Sequence, residues 1–123
     1  MTNKIRCLII DDDPSARAIT KSLIAQDDRL ECIGECEGST EGALSITKNK
    51  PDLVFLDLMM PGLDGYEVLE VIEYNPKIIV VTSSEDYKSD TLSHLISGYI
   101  YKPVKNLELF KEAVDTAIKK DLN

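Results

Sequence analysis

Four short apolar runs punctuate the chain, and each ends in polar residues able to do chemistry. Cys7-Leu8-Ile9-Ile10 closes in Asp11-Asp12, and Leu53-Val54-Phe55-Leu56 closes in Asp57. Ile78-Ile79-Val80-Val81 closes in Thr82-Ser83, and Tyr99-Ile100-Tyr101 closes in Lys102-Pro103. Continuous runs of this length, rich in valine and isoleucine, read as strands buried on both faces. The pattern predicts strands near 5–11, 31–36, 52–57, 77–82 and 98–101. Helical spacing takes over near 14–26, 39–49, 65–74, 86–96 and 106–120. The first helix starts at Asp13 as N-cap with Pro14 in its first turn, and sets Ala16, Ile19, Leu23 and Ile24 on one face. The last starts at Asn106 and repeats Leu107, Phe110, Val114 and Ile118. Alternation of this kind specifies an α/β fold, a parallel sheet with helices on both sides.

Open parallel sheets bind their ligands beyond the C-terminal ends of the strands. Three carboxylates (Asp11, Asp12, Asp57), the Thr82 hydroxyl and the Lys102 ammonium therefore converge. Mg²⁺ takes carboxylate oxygens, keeps several waters and needs only one or two protein carboxylates. Asp11 and Asp12 can splay around one ion, with Asp57 on the adjoining strand. Three negative charges against one Mg²⁺ and one lysine leave a neutral site, whereas without the cation the carboxylates repel one another. In that setting Asp57 stays ionised and acts as a nucleophile on phosphorus. Thr82 and Lys102 supply donors for the phosphoryl oxygens.

Composition narrows the setting. A chain of 123 residues, 43% hydrophobic, is expected to form one domain over 1–123. No apolar stretch is long enough to cross a bilayer and no leader pattern opens the sequence, so a cytoplasmic protein with no membrane partner is expected. A formal net charge of -8 argues against direct nucleic-acid binding, which needs a basic face. Three cysteines without framework spacing fit a reducing compartment.

Several conspicuous residues have ordinary roles. Asp13 and Asp64 read as helix caps. Cys32 and Cys36, evenly spaced on one strand, should share a side; with Cys7 they read as small buried hydrophobes. His94, the sole histidine, lies in a polar helical stretch away from the strand ends.

At this point the chain resembles the response-regulator receiver domain of two-component signalling, from about Ile5 to Ile118. The resemblance rests on Leu8-Ile9-Ile10-Asp11-Asp12-Asp13-Pro14, on Pro51 through Gly65 with Asp57 and Met60-Pro61-Gly62, on Val80-Val81-Thr82-Ser83, and on Tyr99-Ile100-Tyr101-Lys102-Pro103. It implies a flavodoxin-like (βα)5 doubly wound sheet of strand order 2-1-3-4-5, with Asp57 as phosphoacceptor. It further implies Mg²⁺ held by Asp12, Asp57 and the Met59 carbonyl, with Asp11 assisting. Thr82 and Lys102 become the switch hydroxyl and the site lysine, and Tyr99 the rotating aromatic. Met59 and Ser84 would flank the water that removes the phosphoryl group.

The implied partner is a sensor histidine kinase or phosphotransfer protein, with homodimerisation on phosphorylation through the face of the fourth helix, fifth strand and fifth helix. Thr82 through Tyr87 is similar to receivers that precede LytTR-type DNA-binding domains, while Ser89 through Leu95 departs from them. Two settings stay open: the N-terminal part of a transcriptional regulator, or a stand-alone receiver. An aspartyl-phosphate phosphatase of the haloacid-dehalogenase kind would need a second aspartate where Met59 stands. A receiver that has lost phosphorylation would lack an acidic residue or the lysine, and none is missing. No glycine-rich phosphate loop follows the first strand. The expected protein is a switch that processes no metabolite.

Overall fold

The computed structural model describes residues 4–57, 76–82, 96–102, 104 and 106–119. The helices expected near 65–74 and 86–96 lie outside them, as do Met59, Asp64, Ser84 and His94. Five strands form one parallel sheet: β1 (Ile5–Ile10), β2 (Leu30–Cys36), β3 (Leu53–Leu56), β4 (Lys77–Thr82) and β5 (Gly98–Tyr101). Their order is β2-β1-β3-β4-β5, the flavodoxin-like order. The described helices are α1 (Pro14–Ala25), α2 (Ser39–Asn49) and α3 (Leu107–Lys119).

The handedness of crossover connections explains the layering. The chain steps one way from β1 to β2 and back the other way, past β1, to β3. Right-handed crossovers then put α1 and α2 on opposite faces. The packing follows suit. One face buries Cys7, Ile9, Leu53, Phe55, Ile79 and Val81 against Leu23 and Ile24 of α1 and Phe110, Val114 and Ala117 of α3. The other buries Leu8, Ile10, Val54, Leu56, Ile78 and Val80, with Ile46 of α2. Phe55 and Phe110 stack with centroids 5.3 Å apart and planes 13° from parallel. Burying either ring contributes about 1.5–3 kcal/mol, so this contact fixes α3 on the sheet.

Local chemistry sets the helix ends. The Asp13 carboxylate accepts from the Ser15 N–H at 2.9 Å, with Pro14 in the first turn. Asn106 accepts from the N–H of Glu108 at 2.7 Å and of Leu109 at 3.3 Å. At the C-terminal end of α2, Lys50 takes a left-handed conformation (φ 45°). The Arg6 guanidinium donates to the carbonyls of Asn49 and Lys50 there, satisfying oxygens that the helix leaves unpaired.

Three sequence expectations fail. The run Tyr99-Ile100-Tyr101 is not buried on both faces, because β5 is an edge strand that buries Gly98 and Ile100 and exposes both tyrosines. Ile19 is 40% exposed, and Thr20 occupies the buried position instead. The α1 stripe runs through Ala16, Thr20, Leu23 and Ile24, and Ile19 falls off its edge. Cys32 and Cys36 do not share a side. Cys7 pairs with Cys32, but Leu8 pairs with Gly34, so Ile33 is an extra residue in β2. One inserted residue inverts the alternation. Cys32 consequently packs with the α1 and α3 face, and Cys36 with the α2 face.

Candidate functional site

The strand ladders extend one step past their formal ends, and this step builds the site. The Asp11 N–H donates to the Cys36 carbonyl at 3.0 Å, and the Asp57 N–H donates to the Ile10 carbonyl at 2.9 Å. Both aspartates are thereby held in extension of β1 and β3. Between these strands the connections leave in opposite directions, which opens a crevice at their C-terminal ends. On the far side, the Lys102 N–H donates to the Thr82 carbonyl at 2.9 Å and carries β5 to the same edge.

Within the crevice, Asp11 is 3% exposed and Asp57 4%, while Asp12 is open to solvent. One carboxylate oxygen from each of the three lies within 4.8 Å of the others. Oxygen donors at this spacing, two of them withdrawn from water, suit a hard divalent cation such as Mg²⁺. Lys102 Nζ reaches in, 2.8 Å from Asp11 Oδ2 and 3.3 Å from Asp57 Oδ2. Burial alone would favour a neutral Lys102. The hydrogen bond and charge of Asp11, then those of Asp57, outweigh it and raise the ammonium above an ordinary lysine. Lys102 is therefore a fixed cation in the site.

Thr82 is wholly buried at the end of β4. Leu56 is level with Val80, so Thr82 stands one residue beyond the level of Asp57. On β5, Ile100 is buried while Tyr99 and Tyr101 point outward, 37% and 51% exposed. They line a groove with Leu109 and Glu112 of α3. The Met59 carbonyl lies outside the described residues.

Cysteine chemistry has no part in this edge. Cys7 is inside the core, and burial pushes its thiol up to about 12. Cys36 is raised by burial as well. Neither is a ready thiolate.

Two features escaped the sequence. Asp11 has a local role besides its charge: its Oδ1 accepts from the Asp13 N–H at 2.9 Å and shapes the turn into α1. Arg17 Nη1 donates to the Asp11 carbonyl at 2.7 Å, while its Nε meets Glu35 of β2 at 3.1 Å. The available signal was spacing, because Arg17 follows the cap Asp13 by four residues and so returns to the same side of the helix.

Comparison with known proteins gives a consistent family. Residues 7–114 match the family described as response regulator receiver domain. An uncharacterized response regulatory protein of Shewanella oneidensis is 34% identical over 120 residues, covering 96% of this chain and 50% of that protein. The transcriptional regulatory protein BtsR of Salmonella typhi is 32% identical over 109 residues, covering 87% of this chain and 46% of BtsR. The chain thus spans about half the length of these relatives. Among solved structures, the response regulator TrrA of Thermotoga maritima, in complex with Mg²⁺-BeF, superposes with a TM-score of 0.80 at 31% identity. The match covers 94% of this chain and 99% of that one. No helix of the described residues is long and apolar enough to cross a membrane.

Proposed function

This chain belongs to the response regulator receiver domain family, and from that premise we propose that it is a phosphorylation-controlled switch with Asp57 as its phosphoacceptor. The observation that carries the reading is the position of Asp57. It is buried at the crevice between β1 and β3, beside two more carboxylates and within 3.3 Å of Lys102. A lone buried carboxylate would be costly, whereas this one sits among partners suited to hold its charge.

The chemistry balances on these residues. A carboxylate oxygen of Asp57 attacks the phosphorus of a phosphohistidine on a sensor kinase or phosphotransfer protein. The new O–P bond forms as the P–N bond breaks, and the electron pair leaves with the imidazole nitrogen. Lys102 and the Thr82 hydroxyl donate to the transferred oxygens. Asp12, Asp57 and the Met59 carbonyl, with Asp11 assisting, would hold Mg²⁺, which would supply the remaining positive charge beside the phosphoryl group. Hydrolysis of the acyl phosphate resets the protein. No metabolite is turned over.

Phosphorylation adds about one negative charge at this edge. Thr82 shifts toward the new oxygens, and Tyr99, now outward on β5, turns into the space released. The face of β5 and α3, where Tyr99, Tyr101 and Leu109 are exposed, becomes the output or homodimer surface. Its two states pre-exist, and phosphorylation shifts their ratio. The names and lengths of the relatives support a receiver that forms part of a longer transcriptional regulator, with nucleic-acid contact left to another domain. Intact-mass measurement with Mg²⁺ and a small acyl-phosphate donor tests the reading. One phosphoryl group should add to the wild type and none to Asp57→Asn. Equal labelling of both, or full labelling in excess chelator, would refute it.

A further inference from the structure

Every polar point of Asp11 is tied down, and one of the ties comes from a side chain of α1. Its N–H bonds Cys36, its Oδ1 accepts from Asp13 and its Oδ2 meets Lys102. Its carbonyl oxygen accepts from Arg17 Nη1 at 2.7 Å. That carbonyl belongs to the peptide joining Asp11 to Asp12. A peptide unit is planar, so holding its oxygen also sets the direction in which the chain enters Asp12. Asp12 is the exposed member of the cluster and the one most in need of such a constraint.

Arg17 is itself braced. Its side chain is 11% exposed, its Nε lies 3.1 Å from Glu35 and its Nη2 lies 3.7 Å from Glu37. Lys21 shares Glu35 at 3.2 Å from the other side. The Glu35 carboxyl is held below the usual carboxylate range, first by Lys21 and then by Arg17. The arginine's charge is thus matched on β2, which leaves directed hydrogen bonding as its contribution to the acidic turn. The planar guanidinium spreads its donors over a rigid fork and so serves a carbonyl and a carboxylate from separate nitrogens in fixed directions, whereas a lysine offers one compact ammonium.

We propose that Arg17 is a positioning residue for the carboxylate cluster: anchored on β2 by Glu35, it fixes the Asp11–Asp12 peptide and so holds the Asp12 carboxylate where a divalent cation needs it. The proposal rests on the cluster being a Mg²⁺ site, as read above. It assigns to α1 and β2 an outer support of the kind whose loss weakens metal binding about 10–100-fold.

The test is Mg²⁺ affinity by titration calorimetry on wild type, Arg17→Ala, Arg17→Lys and Lys21→Ala, each checked as folded by circular dichroism at the same temperature. Lys21→Ala removes a cation from the same Glu35 pair but no bond to Asp11, so it controls for charge alone. Arg17→Ala should bind Mg²⁺ at least about tenfold more weakly, Arg17→Lys should be intermediate, and Lys21→Ala should match wild type. If Arg17→Ala is not folded, the Arg17→Lys and Lys21→Ala comparison decides. Wild-type affinity in the Arg17 variants, or equal weakening in Lys21→Ala, would overturn the positioning role. Absence of Mg²⁺ binding in the wild type itself would instead overturn the reading of the cluster.

Discussion

Lys102 stands closer to Asp11 than to Asp57, at 2.8 Å against 3.3 Å. The lysine therefore offsets only part of the negative charge of the cluster, with Asp57 in the more distant share. Among the described residues, three carboxylates meet at this edge and Lys102 pairs with two of them. Neutralising Asp57 should relieve part of the repulsion among the carboxylates when divalent cations are removed. Asp57→Asn is expected to unfold at higher temperature than wild type in chelator. Wild type should gain more from Mg²⁺, because ligand binding to the folded state adds stability by mass action. Thermal melts of both proteins with and without Mg²⁺ check the crossing; an Asp57→Asn protein less stable than wild type in chelator would contradict it.

A second ion cluster is structural and predicts an acid dependence. Asp27 is 3% exposed and accepts from the Arg29 N–H, Nε and Nη2 at 3.0, 2.9 and 2.7 Å. Arg29 also pairs with Asp115 of α3, tying the turn after α1 to that helix. The Arg29 hydrogen bonds, above all, hold the Asp27 carboxyl below the usual range. A depressed carboxyl stabilises fully above its unfolded value, about pH 3.9, and loses this as pH falls through the folded value. Asp27→Asn should cost about 1–3 kcal/mol near neutral pH. The gap from wild type should close at the lowest pH where native protein persists. Urea unfolding at the two conditions measures it.

Backbone and packing at α2 give opposite signs for two substitutions. A Cβ on Gly42 would lie 2.6–2.9 Å from three side-chain atoms of Ile10, a fully buried residue. Gly42→Ala should therefore destabilise by about 1–3 kcal/mol despite its better helix propensity. Lys50 is held at φ 45°, where glycine carries no side-chain penalty. Lys50→Gly should stabilise by up to about 1 kcal/mol, since the bond from Arg6 reaches only its backbone carbonyl. Denaturant midpoints of the two variants should move in opposite directions.

Much of this was legible because the sheet is buried on both faces. The runs before Asp11, Asp57 and Thr82 cannot be mistaken for an amphipathic pattern, and Asp13-Pro14 and Asn106 announce their helices; the run before Lys102 instead alternates, with Ile100 buried and Tyr99 and Tyr101 exposed. What was hidden depends on register and on backbone oxygens. The extra Ile33 that separates Cys32 from Cys36 leaves no mark in the alternation. The bond from Arg17 joins a side chain to a carbonyl, a group every residue possesses. Ile19 was misplaced because Thr20, polar in composition, fills the buried site instead.

Coupling from the site to the outer face requires a mobile donor. Thr82 is wholly buried, and Tyr101 is its register partner on β5. Thr82→Ala should still accept a phosphoryl group but lose any phosphorylation-dependent assembly. Sedimentation of both proteins with and without donor decides the point. Assembly of Thr82→Ala equal to that of wild type would remove Thr82 from the relay.

The phosphoacceptor can be read at single-residue level. Borohydride reduces an acyl phosphate to an alcohol and so converts a phosphorylated aspartate into homoserine. The protein is phosphorylated with a small acyl-phosphate donor in Mg²⁺, reduced at once and digested with trypsin, and each aspartate-bearing peptide is sequenced by mass spectrometry. Homoserine at position 57 alone is the expected result. An unmodified Asp57, or homoserine at Asp11 or Asp12 in its place, would contradict it.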